Sequence, residues 1–184
     1  DAATNEIYTL SLHDALPIVK DSGVKTFIIH ARKGILKGLS PRQNRNIPPL
    51  NYQKVYSIKD DFPDLEIIIN GGIKNISEAK NHLNFVDGVM LGRAAYDDPF
   101  MLSNIDSEIY SNTKVEISRK DLLTEYLDYV HVMTKKGYDP KIMLKHVFGL
   151  KKGEKDAKRF RVKVAEIMNS SSLVENKDEL LSMV

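Results

Sequence analysis

The chain has 184 residues, 42% of them hydrophobic and 28% charged, and a formal net charge of +2, which excludes a disordered or collagen-like chain. No stretch approaches the roughly 18 to 20 apolar residues that span a bilayer, and the first residues lack a signal-peptide pattern, so we expect a cytoplasmic protein without a membrane segment. The absence of cysteine excludes disulfides, cysteine metal sites and a thiol acting as nucleophile or general acid.

The first 18 residues carry an unusual signature. Residues 8–18, Tyr-Thr-Leu-Ser-Leu-His-Asp-Ala-Leu-Pro-Ile, can be back-translated into a common sequencing-library adapter. Our hypothesis is that residues 1–18 are an assembly artefact fused to a truncated gene, so that His13 and Asp14 carry no chemistry. The alternative is a genuine amphipathic leader.

Three short apolar runs rich in β-branched residues predict parallel strands over residues 25–30, 66–70 and 88–92. Their near-continuous apolar character is typical of strands buried on both faces, and a helix predicted over 75–83 supports a βα alternation. The fold class is therefore α/β. Three βα units fill only about 80 residues, whereas a complete (β/α)8 barrel takes roughly 250. We expect the C-terminal part of such a barrel, with the missing part preceding Val19.

Residues 31–50 predict a long basic loop punctuated by glycine and proline. Loops of this length are often functional, and a disordered linker is the alternative. After Pro99 the pattern becomes helical, with helices predicted over 118–133, 139–148, 156–168 and 176–183. We therefore predict three parts: the leader (1–18), the last strands and helices of a barrel (19–105) and a small all-helical domain (106–184).

Glycines follow two of the predicted strands. The second strand ends in Asn70, Gly71 and Gly72, and the third ends in Gly92 and Arg93. Backbone N–H groups without a neighbouring Cβ can approach an anion closely, and the loops after the last strands of a barrel commonly bind phosphate. These residues predict a phosphate site, although tight turns alone would also explain the glycines.

Cationic side chains end the first strand and recur in the helical part. Strand periodicity places His30 and Arg32 on one face, where a cation could stabilise the negative charge of a reduced flavin. Basic residues also cluster between positions 141 and 163, where they would suit a phosphate backbone or form a solvated helix face. The other histidines lack metal-ligand spacing, so we expect no metal.

Several motifs carry a family resemblance. They are His-Ala-Arg-Lys at 30–33, Gly-Leu-Ser-Pro-Arg-Gln-Asn-Arg at 38–45, Ile-Pro-Pro-Leu at 47–50, Ile-Asn-Gly-Gly-Ile at 69–73 and Asp-Gly-Val-Met-Leu-Gly-Arg-Ala-Ala-Tyr at 87–96. In this order they closely resemble the tRNA-dihydrouridine synthases of the A subfamily. The resemblance implies a monomeric flavoenzyme that uses FMN and NADPH to reduce D-loop uridines 20 and 20a of tRNA to 5,6-dihydrouridine.

The resemblance also implies roles for individual residues. FMN contacts would be His30, Asn70, Gly71, Gly72, Gly92 and Arg93, to which the strand argument adds Arg32. The tRNA contacts would be Arg42, Arg45, Lys158 and Arg161. The family usually has Arg and Trp where this chain has Lys158 and Phe160, so phosphate charge is kept while planar bidentate pairing is lost.

The chain departs from the family at the proton donor. The resemblance implies that a cysteine from the front half of the barrel protonates the uracil ring, and this chain has no cysteine. We therefore predict that no residue of this chain is catalytic and that the chain alone has no turnover. The alternatives are a non-catalytic tRNA-binding remnant and another phosphate-binding barrel, for example one acting on a sugar phosphate.

Overall fold

A computed structural model describes residues 12–35, 37–110, 116–170 and 173–184. The strands are β1 (Thr26–His30), β2 (Glu66–Asn70) and β3 (Gly88–Met90). The α-helices are α1 (Leu12–Asp21), α2 (Pro41–Asn44), α3 (Tyr52–Asp61), α4 (Ile76–His82), α5 (Arg93–Asp97), α6 (Ile105–Glu108), α7 (Arg119–Lys135), α8 (Pro140–Leu144), α9 (Ala157–Ser170) and α10 (Leu173–Ser182), and 3-10 turns cover Pro99–Asn104 and Lys145–Val147.

The three strands form one parallel sheet in the order β1-β2-β3. Ile28 of β1 pairs with Ile68 of β2, and Ile68 pairs with Gly88 of β3. The predicted parallel sheet and mixed α/β class are confirmed, although the third strand ends at Met90, short of the predicted residue 92.

The described chain divides into two compact units. The sheet unit ends at Met90 and excludes residues 74–77, and the helical unit comprises Lys74–Ser77 and Leu91–Val184. The domain boundaries at 18/19 and 105/106 stay predictions. Residues 1–11 of the predicted leader lie outside the described residues, whereas α1 runs across position 18 and its Leu16 is buried.

One face of the sheet is buried and the opposite face is open. Ile67 and Ile69 of β2 are fully buried, and α3 contacts this strand and contributes the buried Val55 and Ile58. Side chains alternate between faces along a strand, and Ile28, next to the buried Ile29, is 58% exposed. The expected burial of the strands on both faces is therefore wrong for the described residues. The described helices cover only one face of the sheet.

The helical unit encloses its own core. The residues buried together come from α7, α8, α9, α10 and the turns around α8; they are Leu123, Leu127, Val130, Leu144, Val147, Leu150, Phe160, Val164, Ile167 and Leu180. Ser118 caps α7 by accepting a hydrogen bond from Asp121 N at 3.0 Å. Arg119 braces the start of this helix, because its Nε donates to Leu150 O at 3.0 Å and its guanidinium lies 3.9 Å from the Phe100 ring centroid.

Candidate functional site

The chain leaves β2 through a turn that requires glycine. Gly71 and Gly72 have φ angles of +115° and +74°, in the region that side chains rarely adopt. A Cβ on Gly71 would lie 3.0 Å from His30 Cε1, and one on Gly72 would lie 2.4 Å from Leu50 Cδ1. Both the positive φ angles and the short distances to neighbouring atoms therefore disfavour a side chain here.

The same turn lies beside the end of β1. His30 pairs with Asn70 in the parallel register, and Ala31 N donates to Asn70 O at 2.8 Å. The structure thus brings His30, Asn70, Gly71 and Gly72 together at the carboxyl end of the sheet, where open parallel sheets bind ligands. Their role in binding FMN stays a prediction.

Three ring-bearing residues that the sequence analysis did not select, Tyr52, Tyr56 and His82, form a cluster beside this turn. Tyr52 Oη donates to Gly71 O at 3.0 Å, and the Tyr52 ring meets His82 edge-on with a centroid separation of 4.4 Å. His82 is 7% exposed, and its Nδ1 lies 2.6 Å from Tyr56 Oη. The only signal in the sequence was that Tyr52 lies just after the basic loop, because no helix was predicted over residues 52–61.

The protonation states in this cluster follow from burial. Burial raises the pKa of the Tyr52 hydroxyl; the negative charge of Glu78 adds to this effect and the positive charge of Arg32 opposes it. Burial lowers the pKa of His82, although Glu78 acts in the opposite direction. At neutral pH, Tyr52 therefore keeps its proton as a donor and His82 is mostly neutral.

Arg32 holds the basic loop closed in this structure. Its Nη1 donates to Asn46 O at 3.3 Å and to Pro48 O. The backbone of Arg32 forms an antiparallel bridge with Leu50, and Asn51 N donates to Ala31 O at 2.7 Å. These contacts join the two ends of the loop, whereas the predicted contact of Arg32 with a flavin stays a prediction.

The loop contains a short helix that sequence analysis missed. In α2, Ser40 Oγ accepts from Gln43 N at 3.3 Å, and Gln43 Oε1 accepts from Ser40 N at 2.8 Å, which is a capping box. This ordered turn displays Arg42 and Arg45, both exposed. The described part of the loop is thus structured, and the two arginines of this turn are available to an anionic partner.

Gly92 and Arg93 begin α5 and belong to the helical unit. Both are exposed, and a Cβ on Gly92 would meet no atom of the described chain within 4 Å. Gly92 therefore lacks the steric requirement seen at Gly72. Because His30 and Gly71 belong to the other compact unit, the predicted joining of these residues in one FMN site stays a prediction.

The basic residues between Lys151 and Lys163 fall into two groups. Lys163 pairs with Glu179 at 2.6 Å, and Lys151 donates to Met183 O, so these two stabilise the unit. Lys152, Lys155, Lys158, Arg159 and Arg161 are exposed. Phe160, between Lys158 and Arg161 in the sequence, is fully buried in the core. The helix α9 is therefore amphipathic, and its exposed basic face includes both predicted tRNA contacts, Lys158 and Arg161.

The described residues offer neither a metal cluster nor a membrane-spanning helix. That part of the chain has no group of three or more histidine, aspartate or glutamate side chains arranged to hold a metal ion. Among its helices, none combines the length and apolar character needed to cross a membrane.

Known proteins resemble this chain over most of its length. The family model for dihydrouridine synthase matches residues 9–183. A tRNA-dihydrouridine(20/20a) synthase of Pseudomonas putida is 42% identical over 150 residues, covering 82% of this chain and 45% of the relative. Synthases with the same name from Synechocystis sp. and Vibrio parahaemolyticus are 42% and 40% identical over 144 and 156 residues, covering 78% and 84% of this chain and 43% and 48% of the relatives.

The chain therefore belongs to the dihydrouridine synthase family, and the resemblance seen in its motifs is confirmed. It spans about half the length of the curated relatives that it matches.

Proposed function

We propose that this chain is part of an FMN-dependent tRNA-dihydrouridine synthase that uses NADPH to reduce D-loop uridines 20 and 20a to 5,6-dihydrouridine. The observation that carries the proposal is the turn of Gly71 and Gly72 beside His30, at the end of a parallel sheet in a chain of this family. The same proposal includes a monomeric, cytoplasmic protein.

The proposed complete fold is a (β/α)8 barrel followed by a small helical domain. The parallel order of β1, β2 and β3 suits part of such a barrel. The open face supports this further, because the strands of a barrel are buried on both faces and Ile28 is 58% exposed here. In the relatives, the residues outside the matched segment would supply the remaining strands of the barrel.

The residues of the glycine turn fit the phosphate group of FMN. A side chain at Gly71 or Gly72 would collide with His30 or Leu50, whereas bare backbone fits beside them and leaves N–H groups able to donate to an anion. Asn70, Gly71 and Gly72, with Gly92 and Arg93, would hold the phosphate group, and His30 and Arg32 would contact the ring. Bound FMN would supply the hydride that reduces the uracil.

The proton that completes the reduction has no thiol source in this chain, which contains no cysteine. We therefore propose that the chain alone is inactive. The test is to incubate the purified chain with FMN, NADPH and unmodified tRNA and to measure dihydrouridine by mass spectrometry. We expect no product, and dihydrouridine above the background of an enzyme-free reaction would contradict the proposal.

For tRNA, the proposed contacts are the exposed Arg42 and Arg45 of the loop and Lys158 and Arg161 of α9. Each phosphate contact that is removed should weaken binding several-fold and reduce the dependence of log K on log salt by about one. We expect this result for Arg161→Ala and Lys158→Ala in a filter-binding assay, with the exposed Lys136→Ala as the matched control. Equal binding by all three variants would contradict these contacts.

The second candidate function is tRNA binding without catalysis. The absence of cysteine together with the exposed basic face of α9 favours it. It predicts salt-sensitive tRNA binding by a chain that does not bind FMN, whereas the enzyme proposal predicts that the chain binds both.

A further inference from the structure

Tyr52 contacts the glycine turn at the one atom that controls the orientation of its central peptide. The hydroxyl donates to Gly71 O at 3.0 Å. In a planar trans peptide, the carbonyl oxygen of one residue and the N–H of the next point in opposite directions. Fixing the oxygen of Gly71 therefore fixes the direction of the Gly72 N–H, which is turned away from the Tyr52 hydroxyl.

The turn needs such a restraint because glycine is conformationally free. Gly71 and Gly72 both adopt positive φ and lack side chains that could pack and hold the peptide in place. Without an external contact, this peptide could rotate and exchange the positions of its oxygen and its N–H. A carbonyl oxygen facing a phosphate would repel it, whereas an N–H attracts it.

Tyr52 is itself held in place from two directions. It is the first residue of α3, whose N-cap Asn51 accepts a hydrogen bond from Lys54 N at 3.0 Å. Its ring meets His82 edge-on at 4.4 Å, and His82 is fixed by Tyr56 Oη at 2.6 Å from Nδ1. The hydroxyl is thus attached to a rigid base, which is the requirement for orienting another group.

We propose that Tyr52 is a positioning residue, whose hydroxyl holds the Gly71 carbonyl so that the Gly72 N–H is directed at the phosphate group of the flavin. This role rests on the proposed function, because it assumes that the turn binds that phosphate group. Tyr52 acts through the backbone and not by touching the reacting atoms.

The test compares the full chain with Tyr52→Phe and with Tyr126→Phe as the matched control. Tyr126→Phe removes a half-buried hydroxyl that likewise donates to a backbone carbonyl, that of Met143 at 2.9 Å, but in the helical unit and not at the glycine turn. The probes are FMN and riboflavin, which share the ring system and differ in the phosphate group. Dissociation constants come from quenching of flavin fluorescence, and thermal unfolding reports on stability.

We expect Tyr52→Phe to bind FMN about five- to tenfold more weakly, as suits the loss of one orienting hydrogen bond, and to bind riboflavin as the wild type does. The ratio of FMN to riboflavin affinity should be unchanged in Tyr126→Phe. Equal FMN binding by Tyr52→Phe and wild type, or an equal loss of affinity for both flavins, would overturn the positioning role of Tyr52. Neither result would contradict the proposed flavin site itself.

If the wild-type chain binds neither flavin, the proposed flavin site fails and the role of Tyr52 fails with it. If Tyr52→Phe does not fold, the backbone amide resonance of Gly72 in the wild type decides. A shift on adding FMN that riboflavin does not produce supports the proposal, and the absence of such a shift overturns it.

Discussion

In the sheet unit, Ile67 and Ile69 are fully buried while Ile28 on the adjacent strand is 58% exposed. In the helical unit, Leu123, Val130 and Phe160 are all fully buried within a single cluster. The two units have similar apolar segments but bury them to different extents. The difference lies in the number of apolar surfaces that each kind of element presents.

A helix with one apolar stripe needs partners on one side, and four such helices can cover each other. A strand with continuous apolar sequence presents two faces and needs two covering layers. In the described residues, α3 supplies one layer for β2, and the other face of the sheet remains open. The helical unit is therefore expected to be stable by itself to a greater degree than the sheet unit.

The largest expected effect tests the closed core of the helical unit. Phe160→Ala should cost about 3–5 kcal/mol, because it removes a large, fully buried side chain and leaves a cavity. Hydrogen exchange of amides in α7 and α9 under native conditions measures the loss. Val162 lies on the same helix and is 50% exposed, so Val162→Ala should cost less than about 1 kcal/mol. Similar losses in both variants would mean that this core is not closed.

The one-sided burial of the sheet can be tested with two isoleucines on adjacent strands. Ile67→Ala should cost about 2–4 kcal/mol, because Ile67 is fully buried. Ile28→Ala should cost less than about 1 kcal/mol, because more than half of that side chain already contacts water. Urea unfolding monitored by circular dichroism gives both values. An equally large loss for Ile28→Ala would show that the open face is covered in solution.

Two glycines distinguish steric conflict with backbone from conflict with a side chain. A Cβ on Gly149 would lie 2.4 Å from Asp97 O, so Gly149→Ala must move backbone and should cost about 2–3 kcal/mol. A Cβ on Gly72 meets the end of Leu50, which can rotate, so Gly72→Ala should cost about 1–2 kcal/mol, mainly from its positive φ.

Gly137→Ala is the control for these two variants, because Gly137 has φ +93° and no atom of the described chain within 4 Å of a Cβ. It isolates the cost of the backbone conformation, about 1 kcal/mol. Differential scanning calorimetry ranks the three variants. A smaller loss for Gly149→Ala than for Gly137→Ala would refute the predicted contact with Asp97.

The smallest expected effect concerns an ion pair of the sheet unit. Lys59 Nζ lies 2.9 Å from Asp87 Oδ2, which also accepts from Ile67 N at 2.8 Å. Burial acts to raise the pKa of Asp87, but the hydrogen bonds from Lys59 and Ile67 and the charge of Lys59 outweigh it and lower the pKa below its ordinary value of 3.8.

Since the folded-state pKa of Asp87 is lowered, its contribution to stability is present above pH 3.8 and is lost as the pH falls through the native pKa. Asp87→Asn should therefore cost up to about 1 kcal/mol at pH 7, a value limited by partial exposure of the pair. The difference from wild type should shrink below pH 3.8. A difference that does not vary between pH 7 and pH 3 would contradict an electrostatic role.

Much of the local structure was readable from the sequence. The strand over 66–70 has the predicted bounds, and α7 begins at Arg119, one residue after the predicted start of that helix. The helix predicted from Asn75 is present as α4. The family could be recognised as well, because its motifs are short, continuous sequence segments. Each of these features depends on neighbours within a few positions, for which capping preference and periodicity are sufficient guides.

The sequence by itself determined the three strands, several of the helices, the positions of glycine after β2 and the number of basic residues. Only the tertiary structure decided that Tyr52 bonds the carbonyl of Gly71, that Arg32 ties the loop ends together and that Phe160 is buried while Lys158 and Arg161 face solvent. The physical reason is distance along the chain. The first two contacts join residues far apart in sequence, which meet only once the sheet has formed, and the burial of Phe160 depends on the helices that pack around it.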